Sequence, residues 1–228
     1  MLTIHGVPIS VHTRKAIVTA IEKKLPYRNE PVIPFKPPAG WDRLSPTGKI
    51  PVLSDGDLDL PDSSVICAYL ERSYPRPPLY PADTAAHVRA LWFEEYADGT
   101  LFREVVHGLF FQNIIRPKIL GQATDEAAVK TIQTEAMPRC FSYLEKELTG
   151  TYLAGGQFTI ADIAVVSNLI NYHYLGYRIE TRFPRLAGYF EAMIRHPSIV
   201  TALAAEQSAA SGMGLDLSFV RDLTPVTA

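Results

Sequence analysis

Apolar and polar positions alternate briefly at Leu2–Ile4 and then recur at helical spacing through Ala16, Ile17, Ala20 and Ile21. The first pattern predicts a strand over residues 2–5, ended by Gly6 and Pro8. The second predicts a helix from Ser10 to about Lys24. Residues 27–33 read as a second strand, and Pro34, Pro37, Pro38 and Gly40 force a loop after it. Residues 41–44 have room for one helical turn. Residues 52–54 and 58–60 form a hairpin pattern around the tight-turn pair Asp55-Gly56, and 64–72 read as a helix. After the crowded prolines Pro75, Pro77, Pro78 and Pro81 every pattern is helical. Residues 84–108 form one long amphipathic run that extends irregularly towards Arg116. Residues 125–148 form another, and 159–175 the most apolar one, hence the expected buried centre. Shorter runs follow at 184–194 and 197–207. From Ser208 no period is clear.

A proline-rich stretch between patterned regions marks a boundary. The expected division is 1–75 as an α/β unit, 76–83 as linker, 84–210 as an all-α unit and 211–228 as a tail. Residues 159–162 add a folding signal. Thr159 followed three residues later by Asp162 is a capping box, with Asp in place of Glu or Gln.

Composition changes this picture little. The 228 residues are 47% hydrophobic and 20% charged with a net charge of −2, ordinary for a soluble globular chain. That balance gives no reason to expect a nucleic-acid partner. No apolar run approaches a membrane span. With no leader pattern ahead of Leu2, the expected compartment is cytoplasmic. Cys67 and Cys140 lie inside apolar helical patterns and read as buried thiols. No metal-ligand spacing, phosphate loop, dinucleotide fingerprint or nucleophile elbow stands out.

Two short segments carry the chemistry. Pro51, in Gly48-Lys49-Ile50-Pro51-Val52, stands where a strand begins. A proline there removes a ladder donor and suits a strand's first residue, and an X-Pro bond can be cis. Asp62 and Ser63 precede a helical pattern, as N-caps do. A free backbone edge beside a helix N-terminus suits a peptide-like ligand with a carboxylate.

Together these segments resemble the glutathione site of the cytosolic glutathione transferases, and the capping box at Thr159 and Asp162 resembles that of the family's helical domain. The resemblance spans residues 2–207 and is weakest over 103–125. It implies a thioredoxin-like α/β N-terminal domain followed by an all-α domain, with glutathione as co-substrate and no metal. By match, Ile50, before a cis-Pro51, pairs its backbone with the cysteinyl part of glutathione. Asp62 and Ser63 hold its γ-glutamyl end. Lys36 and Trp41 lie in the loop that reaches the glycine carboxylate, and Lys49 is a further contact.

Ser10 stands at the position of the activating hydroxyl in serine-type members, of the bacterial or phi/theta-like kind. A thiol of pKa about 8.5 is mostly protonated at neutral pH. A hydroxyl donor and a helix N-terminus both favour its anion. A cysteine at position 10 would have implied redox work, and no tyrosine lies in the first strand or turn. Thr13 is the alternative hydroxyl. His12 reads as a lone, solvent-facing histidine, and Arg14 as a tie between the domains. Ile9, Val11, Phe102, Phe110 and Tyr172, with Phe111, are candidates for an acceptor pocket between the domains. The implied activity is attack of the glutathione thiolate on a small hydrophobic electrophile, with isomerisation or dehalogenation as variants. A non-catalytic glutathione- or ligand-binding protein is the rival reading. The resemblance also implies a homodimer.

Overall fold

The computed structural model describes residues 1–223. The α/β unit consists of β1 (Leu2–His5), α1 (Val11–Glu22), β2 (Tyr27–Glu30), α2 (Trp41–Leu44), β3 (Val52–Asp55), β4 (Leu58–Pro61) and α3 (Ser63–Ser73). The sheet order is β2-β1-β3-β4. β1 runs parallel to β2 and antiparallel to β3, and β3 is antiparallel to β4. This is the thioredoxin-like arrangement expected. β2 stops at Glu30, short of the expected Ile33, because Pro31 has no amide hydrogen to extend the ladder. Ile4, Ile17, Leu53, Ile66 and Leu70 form the core beneath α1 and α3. Val32, Trp41 and Val52 form a smaller cluster of their own.

The all-α unit begins with α4 (Thr84–Glu95), capped by Asp83, which accepts from Ala86 N at 2.9 Å. It continues without a break through a π-helical stretch Tyr96–Val106, α5 (His107–Phe110) and a second π-helical stretch Phe111–Ile119. These wider turns account for the irregular apolar period read there. α6 (Glu126–Thr131), a π-helical turn Ile132–Ala136 and α7 (Met137–Glu147) form the second rod. α8 (Ile160–Tyr174) is buried along its whole length, as its composition predicted. α9 (Pro184–Met193) and α10 (Pro197–Gly212) complete the unit, α10 continuing past the expected end at Gln207. A short 3-10 turn Ser218–Val220 follows. Residues 224–228 of the expected tail lie outside the described residues.

Asp162 organises the start of α8. Its carboxylate accepts from Thr159 N at 2.9 Å, Thr159 Oγ1 at 3.1 Å, Leu153 N at 3.0 Å and Tyr189 Oη at 3.0 Å. Burial pushes its pKa up to about 6 even with these donors. The box thus fixes α8 to the preceding loop and to α9.

Candidate functional site

Ser10 caps α1 in extended backbone conformation. Its Oγ accepts from Thr13 N at 3.5 Å, the long limit of a hydrogen bond, so the hydroxyl hydrogen is uncommitted. From Ser10 to Ala20 only Ser10 and His12 are more than marginally exposed. Thr13, the alternative hydroxyl, is fully buried under Gly6. A Cβ on Gly6, at φ +150°, would stand 2.5 Å from Thr13 Oγ1 and 3.2 Å from Ile50 Cβ. Glycine at position 6 thus lets the first helix close down on the turn before β3.

That turn contains a cis Ile50-Pro51 bond, with Pro51 directly before β3. Among the described residues no hydrogen bond engages the Ile50 amide or carbonyl. Asp62 and Ser63 follow β4. Asp62 sits at φ +83°, a conformation that costs a non-glycine residue about 1–3 kcal/mol. Its Oδ1 accepts from Ser64 N at 2.9 Å and Val65 N at 3.2 Å. The amide of Ser63, first residue of α3, is one of the helix's unpaired donors. The sheet places both segments at one end: Val52, which follows Pro51, pairs with Pro61, which precedes Asp62.

Lys36 and Lys49 are exposed on the loops flanking α2. Trp41 is buried, and its indole N–H has no partner among the described residues. It lines a shallow recess of about 420 Å³ with Pro37, Pro38, Gly40 and Gly48.

Comparison with known proteins shows the family. Residues 4–78 match the family model for the N-terminal domain of glutathione S-transferases, and residues 92–192 the model for their C-terminal domain. The chain belongs to the glutathione S-transferase family. It is 26% identical to glutathione S-transferase PARB of Nicotiana tabacum, over 89% of this chain and 97% of that protein. It is 32% identical to human glutathione S-transferase theta-2B over 64% of this chain and 60% of that one. The solved structure of FzlA from C. crescentus superposes with a TM-score of 0.87 over 96% of this chain and 98% of that one, at 24% identity. It supports the fold alone. The expected glutathione transferase activity, with glutathione as co-substrate, stands with the family. Among the described residues no group of His, Cys, Asp and Glu is placed to hold a metal ion. No described helix is long and apolar enough to cross a membrane.

The transferase's α1 carries two buried cations, Arg14 and Lys15, next to Ser10. Arg14 is fully buried. It donates from Nε and Nη2 to Glu206 at 2.8–3.0 Å, and from Nη1 to Ser167 O at 2.9 Å and Asn171 Oδ1 at 2.8 Å. Nη2 also reaches Ile9 O at 3.3 Å, as does Asn171 Nδ2 at 3.1 Å. The domain tie expected of Arg14 is therefore present, and it also grips the residue before Ser10. Lys15 is equally buried. It donates to Ser64 Oγ at 2.8 Å and Glu94 Oε1 at 2.9 Å, and pairs with Asp98. Burial alone would lower its pKa, and the two carboxylates outweigh that and hold it above the ordinary lysine value.

His12 is not the lone, solvent-facing residue expected. Its Nδ1 lies 3.5 Å from Asp98 Oδ1, and its ring meets Phe102 edge-on with centroids 4.5 Å apart. Neither this contact nor the role of Lys15 has a sequence signal, because Asp98, which both residues meet, sits more than eighty residues along the chain.

Of the five acceptor-pocket candidates, Phe102 and Phe110 are partly exposed, like Phe111. Ile9, Val11 and Tyr172 are buried. Tyr172 packs edge-on against Phe141 at 5.1 Å and stacks on Tyr177 at 5.3 Å. In this structure these three therefore present almost no surface to a ligand.

Proposed function

We propose that the protein is a serine-type glutathione transferase in which Ser10 donates a hydrogen bond to the sulfur of bound glutathione. The observation that supports this reading is the partly exposed cap hydroxyl of Ser10, held by one 3.5 Å bond while the Thr13 hydroxyl is buried. Glutathione lies with its cysteinyl backbone along Ile50, next to Pro51. Ser63 and the open amides of α3 take the γ-glutamyl carboxylate. Asp62, itself an anion, suits the adjoining ammonium group. Lys36 and Lys49 receive the glycine carboxylate. The chain divides functionally at 76–83, with the acceptor bound beside Phe102 and Phe110. Those surfaces favour an apolar electrophile. Conjugation, dehalogenation and isomerisation all begin with the same thiolate, and a panel of electrophiles distinguishes them.

The protein acts as a homodimer in the cytoplasm. Val88, Leu91 and Trp92 of α4 are 58%, 38% and 51% exposed, and Val65 of α3 is 48% exposed. Apolar side chains so open on neighbouring helices suit an isologous contact.

The reading is tested by titrating the ultraviolet absorbance of bound glutathione thiolate. A hydrogen bond to a charged group contributes about 1.5–3 kcal/mol, and each pKa unit is worth about 1.4 kcal/mol. Ser10→Ala is expected to raise the thiol pKa by about 1–2 units. An unchanged titration refutes the role of Ser10. Calorimetry that shows no glutathione binding at millimolar ligand refutes the site as a whole.

A further inference from the structure

The residues around Ser10 contain a polar chain that hydroxyl stabilisation leaves unused. It runs from Ser64 through Lys15 and Asp98 to His12. Asp98 lies in the π-helical stretch of the all-α unit. Its Oδ2 is occupied by Lys15 Nζ and by Ser64 Oγ, which donates at 3.3 Å. Its Oδ1 is shut off from solvent, makes no hydrogen bond among the described residues and has His12 Nδ1 as its neighbour at 3.5 Å. Burial pushes the Asp98 carboxyl up, but the His12 contact and the Lys15 charge outweigh it and hold the pKa at about 2. Asp98 is thus an anion at every working pH. In the neutral ring an anion facing Nδ1 favours the proton on that nitrogen and the lone pair on Nε2.

The position of the ring matters as much as its tautomer. The His12 side chain is 23% exposed. It and Ser10 are the two partly exposed residues at the start of α1, two positions apart. The charged groups on its side of the domain interface are Asp98 and, behind it, Lys15 and Glu94; Phe102 covers one ring edge.

We propose that His12, oriented by Asp98, is the base that accepts the proton leaving the glutathione thiol. The step balances without any co-reactant. The S–H bond breaks and its electron pair stays on sulfur, where Ser10 stabilises it. An N–H bond forms at His12 Nε2, and the exposed ring edge passes that proton to water. The division of labour is that Ser10 sets how stable the thiolate is and His12 sets how readily it forms. This rests on the serine-type reading and deepens it.

The experiment compares His12→Ala, His12→Phe and Asp98→Asn with Ser10→Ala, each after calorimetric measurement of glutathione binding. General-base assistance contributes about 10²–10⁴-fold. His12→Ala is expected to lower kcat at least tenfold with glutathione affinity changed less than threefold, and added imidazole is expected to restore part of the loss. His12→Phe keeps the contact with Phe102 and is expected to lose as much, without rescue. Asp98→Asn is expected to lower kcat. Should that variant fail to fold, imidazole rescue of His12→Ala still decides. Activity of His12→Ala within twofold of wild type overturns the proposal, as does a loss that imidazole leaves unrestored. Loss in Ser10→Ala beside full activity in His12→Ala sinks the histidine and leaves the serine reading standing.

Discussion

Arg14 offers the sharpest test of how the two domains are joined. Its guanidinium is wholly enclosed, and Glu206 opposite is 1% exposed. Replacing Arg14 by Ala leaves the Glu206 carboxylate with one remaining donor, Tyr174 Oη at 2.7 Å. It also strips the partner from Asn171 Oδ1 and removes one donor from Ser167 O, a carbonyl inside α8. Breaking a buried ion pair costs about 3–5 kcal/mol, and a lone orphaned acceptor about 1–3 kcal/mol. These terms overlap, so Arg14→Ala is expected to destabilise by about 4–5 kcal/mol at neutral pH. That is a large fraction of a typical 5–15 kcal/mol total. Burial raises the Glu206 pKa in the intact protein. Without Arg14 the carboxyl can protonate more readily still, so the deficit should shrink as pH falls towards 5. Urea unfolding followed by far-ultraviolet circular dichroism, at fixed protein concentration, measures both. The paired replacement Arg14→Met with Glu206→Leu removes both charges and is expected to recover at least half of the loss. A loss below about 1 kcal/mol in Arg14→Ala, or a double variant no better than the single, refutes the account.

Asp162→Ala removes the acceptor of four buried donors and is expected to cost about 3 kcal/mol in the same assay, with Asp162→Asn losing less. His173, buried against Phe190 at 3.9 Å between ring centroids and near Arg178, has its pKa lowered from 6.5 to about 3, by burial first and then by that charge. A depressed histidine keeps its contribution above pH 6.5 and loses it as pH falls from 6.5 towards 3, by up to about 1.4 kcal/mol per pH unit. His173→Phe is therefore expected to flatten the fall in stability between pH 6 and pH 4, and an unaltered slope contradicts the assignment. Gly6→Ala forces a methyl against Thr13 Oγ1 and Ile50 Cβ. It is expected to weaken glutathione binding at least tenfold by calorimetry, through displacement of Ile50. Lys15→Met leaves Glu94 and Asp98 buried without their cation and is expected to lower the melting temperature by several degrees, since about 3 kcal/mol moves a domain of this size by that much.

Local signals made much of the fold legible. The cap at Ser10, the Asp55-Gly56 turn, Pro51 before β3, the Asp62-Ser63 start of α3 and the box at Thr159 and Asp162 each depend on residues within a few positions of one another. Their physics is short-range, so a sequence displays it directly. The end of β2 was legible too, in Pro31, although the strand was read through it. The π-helical stretches of the 84–119 rod blurred the period there. The acceptor candidates Ile9 and Val11, at the start of α1, and Tyr172, in α8, are buried by contacts that form only in the folded chain.

The sequence offered Arg14 as a tie between the domains, but the partner of each contact across the interface lay beyond it. Arg14 meets Glu206 from 192 residues away, and Lys15 meets Asp98 from 83. In the sequence His12 is an isolated histidine, and only folding sets a buried carboxylate behind its ring. Turns, caps and apolar period set the α/β elements, the helical elements after them and the segments around Pro51 and Asp62. The tertiary structure decided which charges are enclosed and paired, because desolvation and Coulomb attraction depend on distance in space rather than along the chain.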